Sequence, residues 1–151
     1  MVSWAELEAA APDLAAAGRR LLYRQGHGQA LLATVRGEGL PQIHPITVAI
    51  VGERLYAFIL RSAKGLDLEI DGRYALHAYL DPLAPTEFAL RGRAQLVDAE
   101  PIRSAVAAGW SFTVDETYRL FEFSIESALL GARSSPDDWP PLYSSWTVPS
   151  P

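Results

Sequence analysis

The stretch Leu60-Arg61-Ser62-Ala63-Lys64-Gly65-Leu66-Asp67-Leu68 reads as a strand that ends in a short helix. Ser62 suits an N-cap, and Ala63, Leu66 and Ile70 fall on one helical face. Lys64 then lies in the first turn, where the helix dipole and free backbone N–H groups already present positive charge. An anion resolves that conflict. A phosphate held by those N–H groups, the Ser62 hydroxyl, Lys64 and Arg61 makes the turn a binding site. The alternative has Arg61 and Lys64 pointing into water, paired with Asp67 or Glu69.

Outward from this stretch, the flanking sequence reads as strands: residues 29–36, 42–51 and 54–60 before it, 73–80 and 87–97 after it. Gly37-Glu38-Gly39 and Gly52-Glu53 provide the short turns that antiparallel hairpins need. The run Ala30-Leu31-Leu32-Ala33-Thr34-Val35 is apolar on both faces. A strand with one wet face would alternate, so this one is expected to be covered on both sides. A closed barrel packed on its outside by helices or by a second subunit meets that condition. Pro45, within the second run, implies a sheet edge, a bulge or a break in the ladder.

Residues 3–25 read as helix interrupted at Pro12, which can open a second helix. Arg19, Arg20 and Arg24 form a solvated basic face near its C-terminal end, and His27 sits between two glycines as a loop residue. Residues 98–108 read as helix, with Gly109 as its stop. Residues 118–125 alternate Phe121, Phe123 and Ile125 with Glu122 and Ser124, and a separate apolar piece follows at Ala128-Leu129-Leu130. The tail, 134–151, is rich in proline and aromatics. Trp139 and Trp146 are expected to pack on the barrel, a partner subunit or a planar ligand. One domain is expected, with a helical segment at 1–27, the barrel at 28–133 and this tail.

The chain has 151 residues, 49% of them hydrophobic and 21% charged, which fits one ordinary core. A net charge of −5 argues against a nucleic-acid or anionic-membrane surface, since both need clustered Lys and Arg. With no cysteine, disulfides, thiolate nucleophiles and thiolate metal sites are excluded. The first residues lack a basic region followed by an apolar core, and no run approaches a membrane span, so a cytoplasmic location is expected.

Three stretches resemble the pyridoxamine 5′-phosphate oxidase-like, FMN-binding split barrels. Leu32-Ala33-Thr34-Val35-Arg36-Gly37-Glu38-Gly39-Leu40-Pro41 is similar to that family's opening hairpin. Ser62-Ala63-Lys64 followed by Asp71-Gly72-Arg73-Tyr74-Ala75-Leu76-His77 resembles its phosphate-binding turn and next strand. Phe88-Ala89-Leu90-Arg91-Gly92-Arg93-Ala94 resembles the strand after that. The resemblance implies a mainly β fold with flanking helices: a six-stranded antiparallel split β-barrel, working as a homodimer with FMN at the subunit interface. Ser62 and Lys64 would contact the FMN phosphate, with Arg61 nearby. Thr34, Val35 and Arg36, and Ile46, Thr47 and Val48, would lie along the isoalloxazine and ribityl chain, and Trp146 would close the site from the partner. Many relatives carry Lys-x-Arg-Asn or Lys-x-Arg-Asp, where this chain has Lys64-Gly65-Leu66-Asp67. The missing arginine leaves fewer positive charges for a phosphate.

No acid–base pair stands out. His44 and His77 fall on strands and could meet across the barrel, but two histidines without a third ligand make no metal site. Glu122 and Glu126, four apart on a strand, read as one solvated edge. Gly-x-Ser-x-Gly is absent. A flavoenzyme needs no such groups, because the isoalloxazine carries the hydride and electron chemistry. The expected function is therefore an FMN-dependent oxidoreductase acting on a small molecule. The alternatives are a reductase using the deazaflavin coenzyme and a non-catalytic flavin-binding or stress-related protein. Pyridoxamine phosphate oxidation itself is not expected, since no basic cluster near the C-terminus could hold a second phosphate.

Overall fold

A computed structural model describes residues 1–150; Pro151, the last residue of the expected tail, lies outside them. Two helices open the chain, α1 (Trp4–Ala10) and α2 (Pro12–Leu22). Ser3 and Glu6 form a reciprocal capping box at the start of α1, and Pro12 begins α2 where its missing N–H costs nothing. Strands β1 (Gly28–Arg36), β2 (Leu40–Val51) and β3 (Arg54–Leu60) follow, then α3 (Ala63–Ile70), β4 (Arg73–Ala78), β5 (Glu87–Leu96), α4 (Glu100–Ala108), β6 (Tyr118–Ala132) and β7 (Leu142–Thr147). Among the described residues, no helix is long and apolar enough to cross a membrane.

All strand pairings are antiparallel, in one sheet ordered β3-β2-β1-β4-β5-β6-β7, and β3 also pairs with β6. The sheet is therefore ring-like and has seven strands where six were expected. The extra one is β7, formed by the tail: Trp146 pairs with Ala128, and its indole packs on the core. Trp139 stays exposed, with the Arg133 guanidinium over its ring.

The two pieces expected at 118–125 and 128–130 are one strand, β6. Arg91 lies opposite Ser127 and Gly92 opposite Ile125, so Glu126 is an extra residue, a β-bulge. The bulge reverses the alternation: Phe121, Phe123 and Ile125 face the core before it, Ala128 after it. Glu122 and Glu126 consequently do not form one solvated edge, and Glu122 is buried against Arg54. Gly92 is needed at the bulge, because a Cβ there would sit 1.9 Å from the Ser124 carbonyl oxygen.

The main core fills the ring, with Leu32, Leu76, Leu90, Phe121 and Phe123 facing inward. α2 packs at the end where β5 begins, its Gly18 directly under the Phe88 ring. α3 packs at the opposite end, where β1 finishes, with Leu68 on the core and Asp67 reaching Thr34. The face of α3 read from its apolar spacing is the outer one: Leu66 is 57% and Ile70 84% exposed, while Gly65, Asp67 and Leu68 turn inward. Burial here is set by a polar anchor, since Asp67 has buried partners and Ile70 has none.

A second cluster lies outside the ring, where α4 covers β3 and β6 with Val106 and Trp110 against Tyr56, Phe58 and Leu120. The outer side of β1 has no such cover. Leu31 is 37% exposed and lies in a row with His77, Ala89 and Leu129; Ala33 and Ala75 form the next row. His44 is opposite Leu32 on the inward side, whereas His77 is opposite Leu31 on the outward side, so the two histidines do not meet. The arginines in and just after α2 are not simply solvated: Arg19 pairs with Glu8 at 2.9 Å over the Trp4 ring, and Arg24 donates to the Tyr79 carbonyl.

Candidate functional site

β2 and β3 pair only at Ala49–Val51 against Arg54–Tyr56. Beyond that, β2 stays with β1 as far as Leu40, while β3 pairs with β6 as far as Tyr118. The two strands diverge and leave a wedge between them. Pro41 and Pro45 lie on this free edge of β2, where a missing N–H breaks no ladder bond. The wedge is a cleft of about 360 Å³, with Ile46 and Thr47 on one wall and Phe58, Ile59 and Leu60 on the other. Such a volume suits a small organic molecule.

The start of α3 closes one end of the cleft. Ser62 is its N-cap residue by backbone conformation, yet its side chain makes no capping bond. The Ser62 Oγ is buried and has no hydrogen-bond partner. Lys64 reaches across the wedge, its Nζ donating to the Pro45 carbonyl at 3.2 Å. Burial holds the Lys64 ammonium below the usual lysine range, because removing water disfavours the charged form. A partly dehydrated cation beside an orphaned hydroxyl is a pair of donors with one neutral acceptor between them.

Thr34 and Arg36 are engaged elsewhere. Arg36 donates from Nε and Nη2 to the two carboxylate oxygens of Asp67, both at 2.9 Å, and Thr34 Oγ1 donates to the same carboxylate at 2.9 Å. The Arg36 bonds, then the Thr34 bond, hold Asp67 below its ordinary pKa against the opposing effect of burial. Thr47 pairs with Gln29, whereas Thr34 pairs with Gln42, five residues further along β1 or roughly 17 Å. Register therefore places Gln29 in the cleft and keeps residues 34–36 under α3. His44 faces the same network; burial first, then the Lys64 charge, lowers its pKa, and its Nε2 has no partner.

Of the expected contacts, the structure brings together Ile46, Thr47, Ser62 and Lys64. It leaves out Thr34, Val35, Arg36 and Val48, while Trp146, expected to act from a partner subunit, packs on the core of its own chain. Arg61 faces a neighbouring, more apolar groove of about 610 Å³ lined also by Leu66 and Phe121. Gln29, Phe58, Tyr79, Phe112 and Tyr118 line the cleft and were missed. They come from four separate segments: the pairing of β1 with β2 and β4 brings in Gln29 and Tyr79, and the pairing of β3 with β6 brings in Phe58 and Tyr118.

No family model matches the chain, and no curated protein matches it. Solved structures do. A heme binding protein from Mycobacterium smegmatis is 19% identical with a TM-score of 0.63, over 87% of this chain and 57% of that one. A Listeria innocua protein, provisionally named a pyridoxamine 5′-phosphate oxidase, is 18% identical with a TM-score of 0.58, over 73% of this chain and 91% of that one. A NimC/NimA family protein from Clostridium acetobutylicum is 14% identical with a TM-score of 0.62, over 89% and 94%. This chain shares its fold with these solved structures, one of them named for pyridoxamine 5′-phosphate oxidase. The match is one of fold: one neighbour is named for heme binding and another for an oxidase, and a shared fold does not fix the ligand.

Proposed function

We propose that the chain is an FMN-binding oxidoreductase related to pyridoxamine 5′-phosphate oxidase, with the wedge between β2 and β3 as its cofactor site. The observation that carries this reading is the buried, unpartnered Ser62 hydroxyl and the Lys64 ammonium, both lining the cleft at the start of α3. A terminal phosphate accepts from both and gives Lys64 the counter-charge it lacks. Ile46 and Thr47 line the path of the ring and ribityl chain, and Arg61 faces the neighbouring groove. A bound flavin supplies the hydride and electron transfer, which is why no acid–base pair is required of the protein. Arg36 is committed to Asp67, so one lysine serves the anion. That favours a single terminal phosphate over the longer phosphorylated tail of the deazaflavin coenzyme.

The outer sheet face left uncovered among the described residues, with Leu31, His77, Ala89 and Leu129 in one row beside Ala33 and Ala75, supports a homodimer in which a second copy covers it. A second subunit is one of the two covers expected for a β1 apolar on both faces.

The experiment is a visible absorption spectrum of the purified protein before and after adding FMN, riboflavin or hemin. FMN is expected to bind stoichiometrically with flavin bands. Lys64→Ala is expected to weaken FMN by about 1.5–3 kcal/mol, the range for a hydrogen bond to a charged group, and to leave riboflavin unchanged. A protein that takes up hemin and no flavin overturns the reading. Stoichiometric FMN without turnover across nicotinamide donors and acceptors reduces it to flavin binding alone.

A further inference from the structure

Building on the proposed flavin site, we infer that the segment 109–118 is a built aromatic wall on which a flat ring lies, with Phe112 as its contact surface and Arg103 as its positioning residue. The wall is a chain of four rings. Phe58 meets Trp110 edge-on with centroids 5.0 Å apart, Trp110 meets Phe112 at 6.0 Å, and Phe112 meets Tyr118 at 5.6 Å. Edge-to-face contact uses the rim of one ring against the face of the next, which fixes orientation better than greasy packing does. Phe58, Phe112 and Tyr118 all border the cleft, and Trp110 stands behind them in the α4 cluster.

A loop carrying a 39% exposed phenylalanine would ordinarily be free to move. This one is tied by a single side chain. Arg103, on α4, donates from Nη1 to the Tyr118 carbonyl at 2.7 Å and from Nη2 to the Asp115 carbonyl at 2.6 Å, with its guanidinium 5.1 Å from the Phe58 centroid. Asp115 in turn accepts from the Thr117 N–H at 2.8 Å and the Thr117 hydroxyl at 2.5 Å. Five donors in one rigid fork suit Arg to such a clamp, and Lys could make only part of it. The result is an exposed aromatic face held still at the mouth of a cleft, a form of preorganisation that serves binding rather than stability. Gln29 and Thr47 supply the polar groups on the side of β1 and β2. The ligand class is a planar heteroaromatic ring with polar edges, not a sugar and not an extended peptide.

The test measures affinity and residual flavin fluorescence for FMN, riboflavin and lumichrome, a flat ring without ribityl chain or phosphate. The proteins are wild type, Phe112→Leu, Arg103→Gln and Arg103→Lys, each checked for an unchanged thermal midpoint. Phe112→Leu is expected to weaken all three ligands by the same factor, about tenfold, and to raise the fluorescence of bound flavin, because stacking on the ring is lost. Arg103→Gln is expected to do the same, and Arg103→Lys to restore part of both readouts. Lys64→Ala, by contrast, weakens FMN alone. Wild-type affinity and quenching in Phe112→Leu overturn the wall, as does a wild-type protein that binds none of the three rings. Uptake of lumichrome without any preference for FMN leaves the wall standing and removes the phosphate site.

Discussion

Arg36 grips Asp67 with a two-pronged contact, Nε to Oδ1 and Nη2 to Oδ2 at 2.9 Å each, and so ties the end of β1 to the inner face of α3. Asp67 is only 6% exposed, and Thr34, at 1%, completes the site. The ion pair thus anchors the helix whose first turn carries Lys64. It also commits Arg36 to the helix, at the end of β1 that the register places away from the cleft.

Asp67→Ala should lower stability by about 1–3 kcal/mol, since the Thr34 hydroxyl is left buried without an acceptor. Urea unfolding at pH 7 measures it. Arg36→Ala should destabilise as well, because it strands a buried carboxylate.

The acid side of the stability curve carries the same signature. The folded-state pKa of Asp67 is depressed, so its contribution is present above the unfolded value of about 3.9 and is lost as pH falls through the folded value. Asp71, which Arg73 holds at about 2, adds to the same slope. Unfolding midpoints should fall below about pH 4 in the wild type and fall less steeply in Asp67→Asn, with the Asp71 part retained. Equal slopes would remove Asp67 as a titrating anchor.

Ser62→Ala separates stability from binding. The hydroxyl has no partner in the unliganded chain, so its loss should leave the thermal midpoint unchanged or slightly raised. FMN affinity should drop. A clear loss of stability would show that the hydroxyl already has a structural bond.

Leu31→Glu places a charge in the middle of the uncovered sheet face without touching the core. Sedimentation velocity should show a dimer for the wild type and a monomer for this variant. A wild-type monomer at micromolar concentration would leave that face without its second copy.

Gly92→Ala forces a Cβ to within 1.9 Å of backbone at the bulge, where no side chain can yield. Destabilisation of about 1–3 kcal/mol or more is expected, together with loss of the β5–β6 register in amide exchange. Wild-type stability would mean that the bulge can relax.

The order of the elements was legible in the residues: the helical start broken at Pro12, the glycine-turned hairpins and the Ser62 helix start all stand where they were read. Pro45 announced an edge, a bulge or a break in the ladder, and the pairing shows that it is the edge. The bulge at Glu126 was not legible, since an extra residue splits one strand into two apparent periodicities. The apolar face of α3 misled because Leu66 and Ile70 state hydrophobicity but not what is near them. Thr34 and Arg36 were placed along the ligand by resemblance, and the register shows them bonded to Asp67 instead.

By itself, the sequence determined local events such as the helix starts and the hairpin turns, because caps, turns and prolines act over a few residues of backbone. The tertiary structure alone decided the cleft. β2 and β3 are joined by a two-residue turn, yet they separate because each has a different second neighbour, β1 for one and β6 for the other. Pairing between strands about sixty residues apart depends on the competition for partners across the whole sheet, and no short stretch of sequence records its outcome.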